Sequence, residues 1–125
     1  MSKLANALNI VPEDLPSHEV IDAHLVAYQA RDLERFASYF SDDITGTRNG
    51  QNNLNGIAQL REIYGPMFSI SPSLRVRISA RRIEGEYIYD TEHVIGHRGI
   101  EKEITATVRY KVVNGKIVEM RLQLL

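Results

Sequence analysis

The residues of this chain best suited to proton transfer near neutral pH are histidines, three of which occupy patterned stretches. His24 shares one helical stripe with Ile21 and Leu25, so it faces inward, either as a hydrogen-bonded core residue or as part of a pocket. His93 and His97 lie four positions apart on a predicted strand, on one face but about 13 Å apart. This separation is too large for one metal ion, so we predict no metal and no cofactor.

Arg48 offers a planar fork of donors that suits a carboxylate, phosphate or enolate oxygen. Its guanidinium stays protonated at neutral pH and therefore cannot act as a base. The alternative is that Arg48 pairs with Asp42 or a neighbouring acid at the rim of a pocket. The functional hypothesis is a small acidic or carbonyl-bearing ligand that is held by Arg48 and Tyr64, with His24 or His93 moving a proton.

The elements that must position these residues divide into a helical first half and a strand-rich second half. Residues 1–15 form an arm or a short helix, and residues 16–125 form a single domain. The predicted order begins with a helix capped by Ser17 and a short helix capped by Asp32. A strand at 44–48 and a polar turn at 49–53 follow. A third helix starts at Asn55 or Gly56 and ends near Tyr64, and strands follow from Leu74 onward. The expected end at Tyr64 follows from Pro66.

Residues 86–125 alternate with the period of two that is typical of strands, and Asn114-Gly115 predicts a tight hairpin. We expect one face of these strands to line the interior, namely Tyr89, Thr91, His93, Thr105 and Thr107. We expect the opposite stripe to form an outer homodimer surface, namely Ile104, Ala106, Val108, Tyr110 and Val112. His97 precedes Arg98-Gly99, a predicted turn, and is therefore expected at the solvated rim.

Composition excludes several classes of protein. The 125 residues include 15 basic and 16 acidic side chains, a net charge of −1, which argues against nucleic-acid binding. The chain has no cysteine, so disulfides and cysteine-bound metals are excluded. We find no signal peptide or membrane span in the sequence and expect a cytoplasmic location.

Helices followed by antiparallel strands favour an α+β fold, with three N-terminal helices packed on a strongly curved antiparallel sheet. Four motifs support a more specific assignment: YQARDL at 28–33, FASYFSDDI at 36–44, Asn55-Gly56 followed by Leu60 and Tyr64, and VNGKIVEM at 113–120. In order and spacing they resemble the nuclear transport factor 2-like superfamily, particularly its SnoaL-like and ketosteroid-isomerase-like branch. The resemblance implies a cone-shaped α+β barrel, a pocket at its open end and a homodimer on the outer sheet face.

The resemblance also places individual residues. His24 falls where ketosteroid isomerases carry an oxyanion tyrosine, Arg48 where they carry the base, and Thr107 where they carry a neutral aspartate. All three residues differ, which disfavours steroid isomerisation. Tyr64 matches a pocket tyrosine of that family. The predicted pocket comprises Tyr28, Tyr64, Tyr89, Thr107, Met120 and Leu122, with His24, Arg48 and His93 as catalytic candidates.

The prediction for function is a small-molecule-binding SnoaL-like protein whose pocket supports proton transfer of an isomerase or cyclase type. Its ligand would be a small apolar, acidic or carbonyl-bearing compound. One alternative is a non-catalytic dimeric module for ligand binding or association. Another is a lyase or dehydratase that uses a histidine base.

Overall fold

The computed structural model describes residues 15–125. The predicted arm at 1–15 lies outside them except for Leu15, which packs against the core. In chain order the elements are α1 (Ser17–Ala30), α2 (Leu33–Ala37), β1 (Phe40–Arg48), β2 (Gln51–Asn55), α3 (Ile57–Ser69), β3 (Arg75–Glu84), β4 (Tyr87–Ile95), β5 (Ile104–Val113) and β6 (Lys116–Leu124). A short 3₁₀ turn, His97–Gly99, separates β4 from β5.

The six strands form one sheet in the order β2-β1-β6-β5-β4-β3. Three helices pack on this curved sheet, so the α+β prediction is confirmed. The sheet is mixed, because β1 runs parallel to β6 while the other neighbouring pairs are antiparallel. The expectation of a purely antiparallel sheet is therefore wrong at one pair. The helix α3 connects β2 to β3, two strands that run in the same direction at opposite edges of the sheet.

The first two helices meet at a sharp local turn. Arg31 adopts a left-handed conformation, with φ of 57°, and its N–H bonds to the carbonyl oxygens of Ala27 and Tyr28. The Asp32 side chain then accepts a hydrogen bond from the Arg35 N–H at 3.2 Å, so Asp32 caps α2 as predicted. The expected Ser17 cap is wrong, because Pro16 occupies the cap position without a side-chain hydrogen bond.

Two Asn-Gly pairs form tight hairpins. Asn49 and Gly50 have φ of 52° and 82°, and Asn114 and Gly115 have φ of 50° and 74°. Positive φ at both positions is what a primed two-residue turn requires. The first pair shortens the predicted polar turn at 49–53 to two residues, and the rest of that segment belongs to β2. Its strand signal is weak because only Leu54 among its residues is buried.

The helix α3 continues to Ser69, past the end predicted near Tyr64. Pro66 lies inside it. A proline normally disfavours a helical residue before it, because its ring meets the Cβ and N–H of that residue. Here the preceding residue is Gly65, which has no Cβ, so part of this conflict is removed. The extension brings Met67 and Phe68 into the core.

The two faces of the sheet are reversed relative to the prediction. On β4 the buried side chains are Ile88, Asp90 and Glu92. On β5 the inner stripe is Ile104, Ala106, Val108, Tyr110 and Val112, so these residues cannot form the outer dimer surface. The outer face instead carries Tyr89, Thr91, His93, Thr105 and Thr107. A period of two shows which residues share a face, whereas only packing against the helices decides which face is covered.

No helix within residues 15–125 has the length and apolar character needed to cross a membrane.

Candidate functional site

A cavity of about 140 Å³ lies between the inner face of the sheet and the three helices. An apolar cavity of this size can hold a benzene ring. Its apolar wall is formed by Leu25, Phe36, Ile63, Met67, Val94, Ile104, Ala106, Val108, Met120, Leu122 and Leu124. The predicted pocket residues Met120 and Leu122 therefore lie on this wall, and their role in ligand binding stays a prediction.

His24 combines the two positions that the sequence left open, because it is buried in the core and also borders the cavity. Its Nδ1 lies 2.6 Å from the carbonyl oxygen of Ile21. A carbonyl oxygen can only accept, so Nδ1 carries the proton and Nε2 does not. Burial lowers the pKa of His24 from 6.5 to about 4. The ring is thus neutral at pH 7 and a weak base.

The sequence-based prediction missed the main ionisable group of the cavity, which is Glu92. Glu92 lies on the inner face of β4 and is only 7% exposed. The hydroxyl of Tyr110, on the neighbouring strand β5, donates a hydrogen bond to Glu92 Oε2. The sequence offers one weak signal for this position, because Glu92 shares its parity with Ile88, Asp90 and Val94 in a stripe that mixes apolar and acidic residues.

The surroundings of Glu92 change its acidity. Burial raises its pKa from 4.5 to about 7, and the nearby charge of Asp90 acts in the same direction. The hydrogen bond from Tyr110 and the positive charge of Arg81 oppose this rise. The carboxyl group is therefore divided between its protonated and ionised forms near pH 7, which is the condition that favours general acid–base catalysis.

A buried ion pair lies next to Glu92. Asp90 is 2% exposed and accepts two hydrogen bonds from Arg81, at 2.6 Å from Nε and 2.8 Å from Nη2. Arg81 Nη1 also reaches Asp22 Oδ1 on α1 at 2.8 Å. This bidentate arrangement keeps the guanidinium occupied by two acids and ties the sheet to the first helix. Its charges act on both Glu92 and His24.

Two tyrosines predicted for the pocket, Tyr28 and Tyr64, border the cavity from α1 and α3. Their rings lie 6.3 Å apart, edge to face, and both pack against Phe36 and Phe68. Burial raises the pKa of both hydroxyl groups far above the usual range. They therefore stay protonated and can donate hydrogen bonds to a ligand oxygen.

The mouth of the cavity is polar and carries positive charge. Arg48 lies there at the end of β1, with Thr47 and Asn53 nearby on the same hairpin. His97 and Arg98 approach from the turn between β4 and β5. The predicted rim position of His97 agrees with its place at the mouth, where its side chain is partly buried and lines the cavity.

Three residues predicted for the site lie outside the cavity. His93 projects from the outer face, where its Nε2 lies 2.7 Å from Ser79 Oγ and its Nδ1 lies 3.2 Å from Thr105 Oγ1. Tyr89 packs against Arg82, whose guanidinium carbon lies 4.2 Å from the centre of the tyrosine ring. Thr107 is exposed on β5. All three predictions are wrong because the sheet presents the opposite face to the helices.

Among the described residues, 15–125, no three His, Cys, Asp or Glu side chains lie close enough together to hold a metal ion.

Comparison with known proteins places this geometry in a family. The sequence profile of the SnoaL-like domain matches residues 21–120. No functionally curated protein shows significant similarity to the chain. Among solved structures, an uncharacterised cystatin-fold protein from Novosphingobium aromaticivorans is 22% identical, with a TM-score of 0.77 over 86% of this chain and 97% of that chain.

Two further structures have the same fold at low identity. A protein with a provisional assignment as a SnoaL-like polyketide cyclase, from Jannaschia sp. CCS1, is 15% identical, with a TM-score of 0.74 over 93% of this chain and 90% of that chain. A protein with a ketosteroid isomerase-like fold from Catenulispora acidiphila, solved with trimethylamine, is 14% identical, with a TM-score of 0.71 over 83% of each chain. At these identities the likeness concerns the fold. Because the family profile covers most of the sequence, from the first helix to the last strand, the chain belongs to the SnoaL-like domain family.

Proposed function

We propose that the protein binds a small carbonyl compound in the cavity and that Glu92 moves a proton on it. The observation that carries this proposal is a buried carboxyl group on the cavity wall with a pKa of about 7, hydrogen-bonded by Tyr110. A base of this kind suits the removal of a proton from a carbon next to a carbonyl group. Isomerisation and aldol-type cyclisation both begin with that step.

The proton transfer conserves atoms and charge. Ionised Glu92 takes the proton from the α-carbon, and the electron pair of the broken C–H bond forms the enolate, whose charge lies mainly on oxygen. Tyr28 and Tyr64 supply protonated hydroxyl groups at the cavity wall, which can stabilise that oxygen by hydrogen bonding. Protonated Glu92 then returns the proton, either to the same carbon or to another position of the enolate.

A histidine base is less well supported. His24 has a pKa of about 4 and uses its protonated nitrogen to bond the Ile21 carbonyl. His93 projects from the outer face of the sheet. These positions argue against the lyase or dehydratase alternative with a histidine base. The non-catalytic alternative uses the same cavity and differs in whether Glu92 moves a proton.

Hydrogen–deuterium exchange in D₂O tests the proposal with phenylacetone, a neutral ketone that has acidic benzylic protons. We expect the wild-type protein to accelerate loss of the benzylic ¹H signal above the buffer rate. Glu92→Gln keeps the shape of the side chain and is expected to return the rate to background, whereas the exposed Glu84→Gln, the matched control, keeps the wild-type rate. Equal accelerated rates in the wild-type protein and Glu92→Gln would reject Glu92 as the base, and a wild-type rate at the buffer level would leave ligand binding without catalysis as the function.

A further inference from the structure

The mouth of the cavity holds two arginines that come from distant parts of the chain, Arg48 at the end of β1 and Arg98 in the turn after β4. Within residues 15–125, neither guanidinium forms a salt bridge, and the predicted alternative of an Arg48 pair with Asp42 or a neighbouring acid is absent there. Other arginines of the described chain, including Arg61 and Arg81, do pair with acids. The two at the mouth keep their donors available.

His97 lines the mouth of the cavity together with Arg48 and Arg98. Its pKa is lowered by partial burial first, and then by the charges of Arg98 and Arg48. Arg48 also lowers the pKa of Tyr64, while Glu92 raises it, so Tyr64 lies within the field of both groups. Arg48, Arg98 and Glu92 line the same cavity, so a single small ligand can contact the arginines and the carboxyl group together.

Hydrogen bonds hold the backbone next to Arg48 in place. Asn49 follows Arg48, and its N–H donates to the Leu122 carbonyl at 2.8 Å while its Oδ1 accepts from the Leu124 N–H at 2.9 Å. The hairpin that carries Arg48 is therefore attached to β6. This attachment limits how far the backbone of Arg48 can move from the cavity mouth.

Arg98 is fixed by a different set of contacts. It adopts a left-handed conformation, with φ of 56° and ψ of 30°, which is unfavourable for a residue with a side chain. Its N–H donates to the buried Ser71 Oγ at 2.7 Å. Gly96, with φ of 86°, approaches Ser73 so closely that an added Cβ would lie 2.5 Å from the Ser73 carbonyl oxygen. The turn is thus held against the end of α3 and directs Arg98 to the mouth.

The lining of the cavity carries more positive than negative charge. Of the described residues that line it, Arg48 and Arg98 are permanent cations, whereas Glu92 is the one acid and is largely neutral below pH 7. A cavity with positive charge at its mouth and an apolar body attracts a ligand that has an anionic group and an apolar remainder. An arginine fork matches a carboxylate in geometry as well as in charge.

From this arrangement we propose that the ligand is a small organic acid, with its carboxylate bound by Arg48 and Arg98 at the mouth and its apolar body in the cavity. This inference rests on the proposed function for the chemistry and adds the substrate class to it. A keto acid of this kind would place its carbonyl group and α-carbon deeper in the cavity, towards Tyr64 and Glu92.

Binding of two matched probes, phenylacetate and phenylacetamide, tests the carboxylate site by isothermal titration calorimetry. The two differ in charge but hardly in shape. We expect phenylacetate to bind the wild-type protein at least about tenfold more tightly, because hydrogen bonds to charged groups contribute roughly 1.5–3 kcal/mol. Arg48→Gln and Arg98→Gln should each remove about that tenfold preference. Arg75→Gln, which removes an exposed arginine outside the cavity lining, should keep it.

Equal affinity for the acid and the amide, or no binding of phenylacetate at millimolar concentration, would overturn the inference. An equal loss in Arg75→Gln would also overturn it, because the general positive field would then be the cause. The outcome is separable from that for catalysis. Glu92-dependent exchange of phenylacetone without a preference for the acid would reject the carboxylate site alone, whereas a clear preference without that exchange would reject the proton transfer alone.

Discussion

The Tyr110 hydroxyl donates a hydrogen bond to the Glu92 carboxyl, and both residues lie on the inner face of the sheet, on adjacent strands. The two side chains are buried, at 2% and 7% exposure. Burial favours the protonated carboxyl, whereas the tyrosine favours the ionised one. The balance of the two effects places the pKa of Glu92 near neutrality.

Tyr110→Phe should therefore make Glu92 a weaker acid. Loss of one hydrogen bond to the carboxylate is expected to raise the pKa of Glu92 by about one unit, since such bonds contribute roughly 1.5 kcal/mol. The pH profile of phenylacetone exchange and a ¹³C titration of the glutamate carboxyl signals both measure this shift. A profile that stays at the wild-type pH would show that the hydrogen bond does not control Glu92.

Glu92 should also give the protein an unusual dependence of stability on pH. Its pKa is higher in the folded state, about 7, than the ordinary value of 4.5, so the folded state binds more protons between these values. Its stabilising contribution is complete below pH 4.5 and is lost as the pH rises through 7. The neighbouring charges, Asp90 and Arg81, are retained in Glu92→Gln.

Urea unfolding of the wild-type protein and Glu92→Gln between pH 4 and pH 8 measures this effect. The free energy of unfolding of the variant, relative to the wild type, should rise by about 3 kcal/mol across the range. A constant difference would mean that Glu92 ionises normally in the folded protein.

His24 should change the stability of the protein with pH in the direction opposite to that of Glu92. Its pKa is lowered to about 4, so the unfolded state binds more protons between pH 4 and pH 6.5. The contribution of His24 is complete above pH 6.5 and is lost as the pH falls through 4. The charge of Arg81 lowers the pKa of His24 and the charge of Asp22 raises it, but burial has the largest effect.

The two effects partly cancel between pH 4.5 and pH 6.5 in the wild-type protein. In Glu92→Gln the effect of His24 should be unmasked, with stability rising with pH in this interval. An NMR titration of the His24 ring supplies a direct check, because the ring should remain neutral until the pH approaches 4. Protonation of His24 near pH 6.5 would contradict the prediction.

Arg81→Gln should destabilise the fold strongly. It leaves Asp90, whose side chain has no exposed surface, as a buried charge without its bidentate partner. Breaking a buried pair in this way costs about 3 kcal/mol or more, measured as the free energy of unfolding in urea. Arg82→Gln is the matched control, because the Arg82–Glu84 pair is exposed on both sides and should contribute less than about 1 kcal/mol. Similar losses in the two variants would contradict this account.

A homodimer remains a prediction, but the surface that it would use has changed. The helices cover the inner face of the sheet, so the outer face, with the row Thr91, Thr107 and Gln123 across three strands, is available to a second copy. We expect light scattering at micromolar concentration to give the mass of a dimer. Thr107→Glu should shift it towards the monomer, because each copy would carry an added negative charge on the contacting face, and a monodisperse wild-type monomer would reject the prediction.

Local patterns in the sequence were enough to predict the fold class and most of the elements. Helical stripes, the Asp32 cap and the Asn-Gly turns depend on neighbours within a few residues, so they can be interpreted without the tertiary structure. The same applies to the sets of residues that share a face of β4 and β5. Tyr28, Tyr64, His24 and Arg48 line the cavity, and their roles at the site stay predictions.

Only the tertiary structure decided which face of the sheet the helices cover, because strand periodicity is identical for both orientations. Because the helices cover the other face, His93, Tyr89 and Thr107 lie on the outside and Glu92 lines the cavity. The site joins residues far apart in sequence: Tyr110 donates a hydrogen bond to Glu92, and Arg48 and Arg98 line the same cavity. Such pairs arise when the sheet curves around the helices, and the same burial that completes the cavity also sets the charge of Glu92.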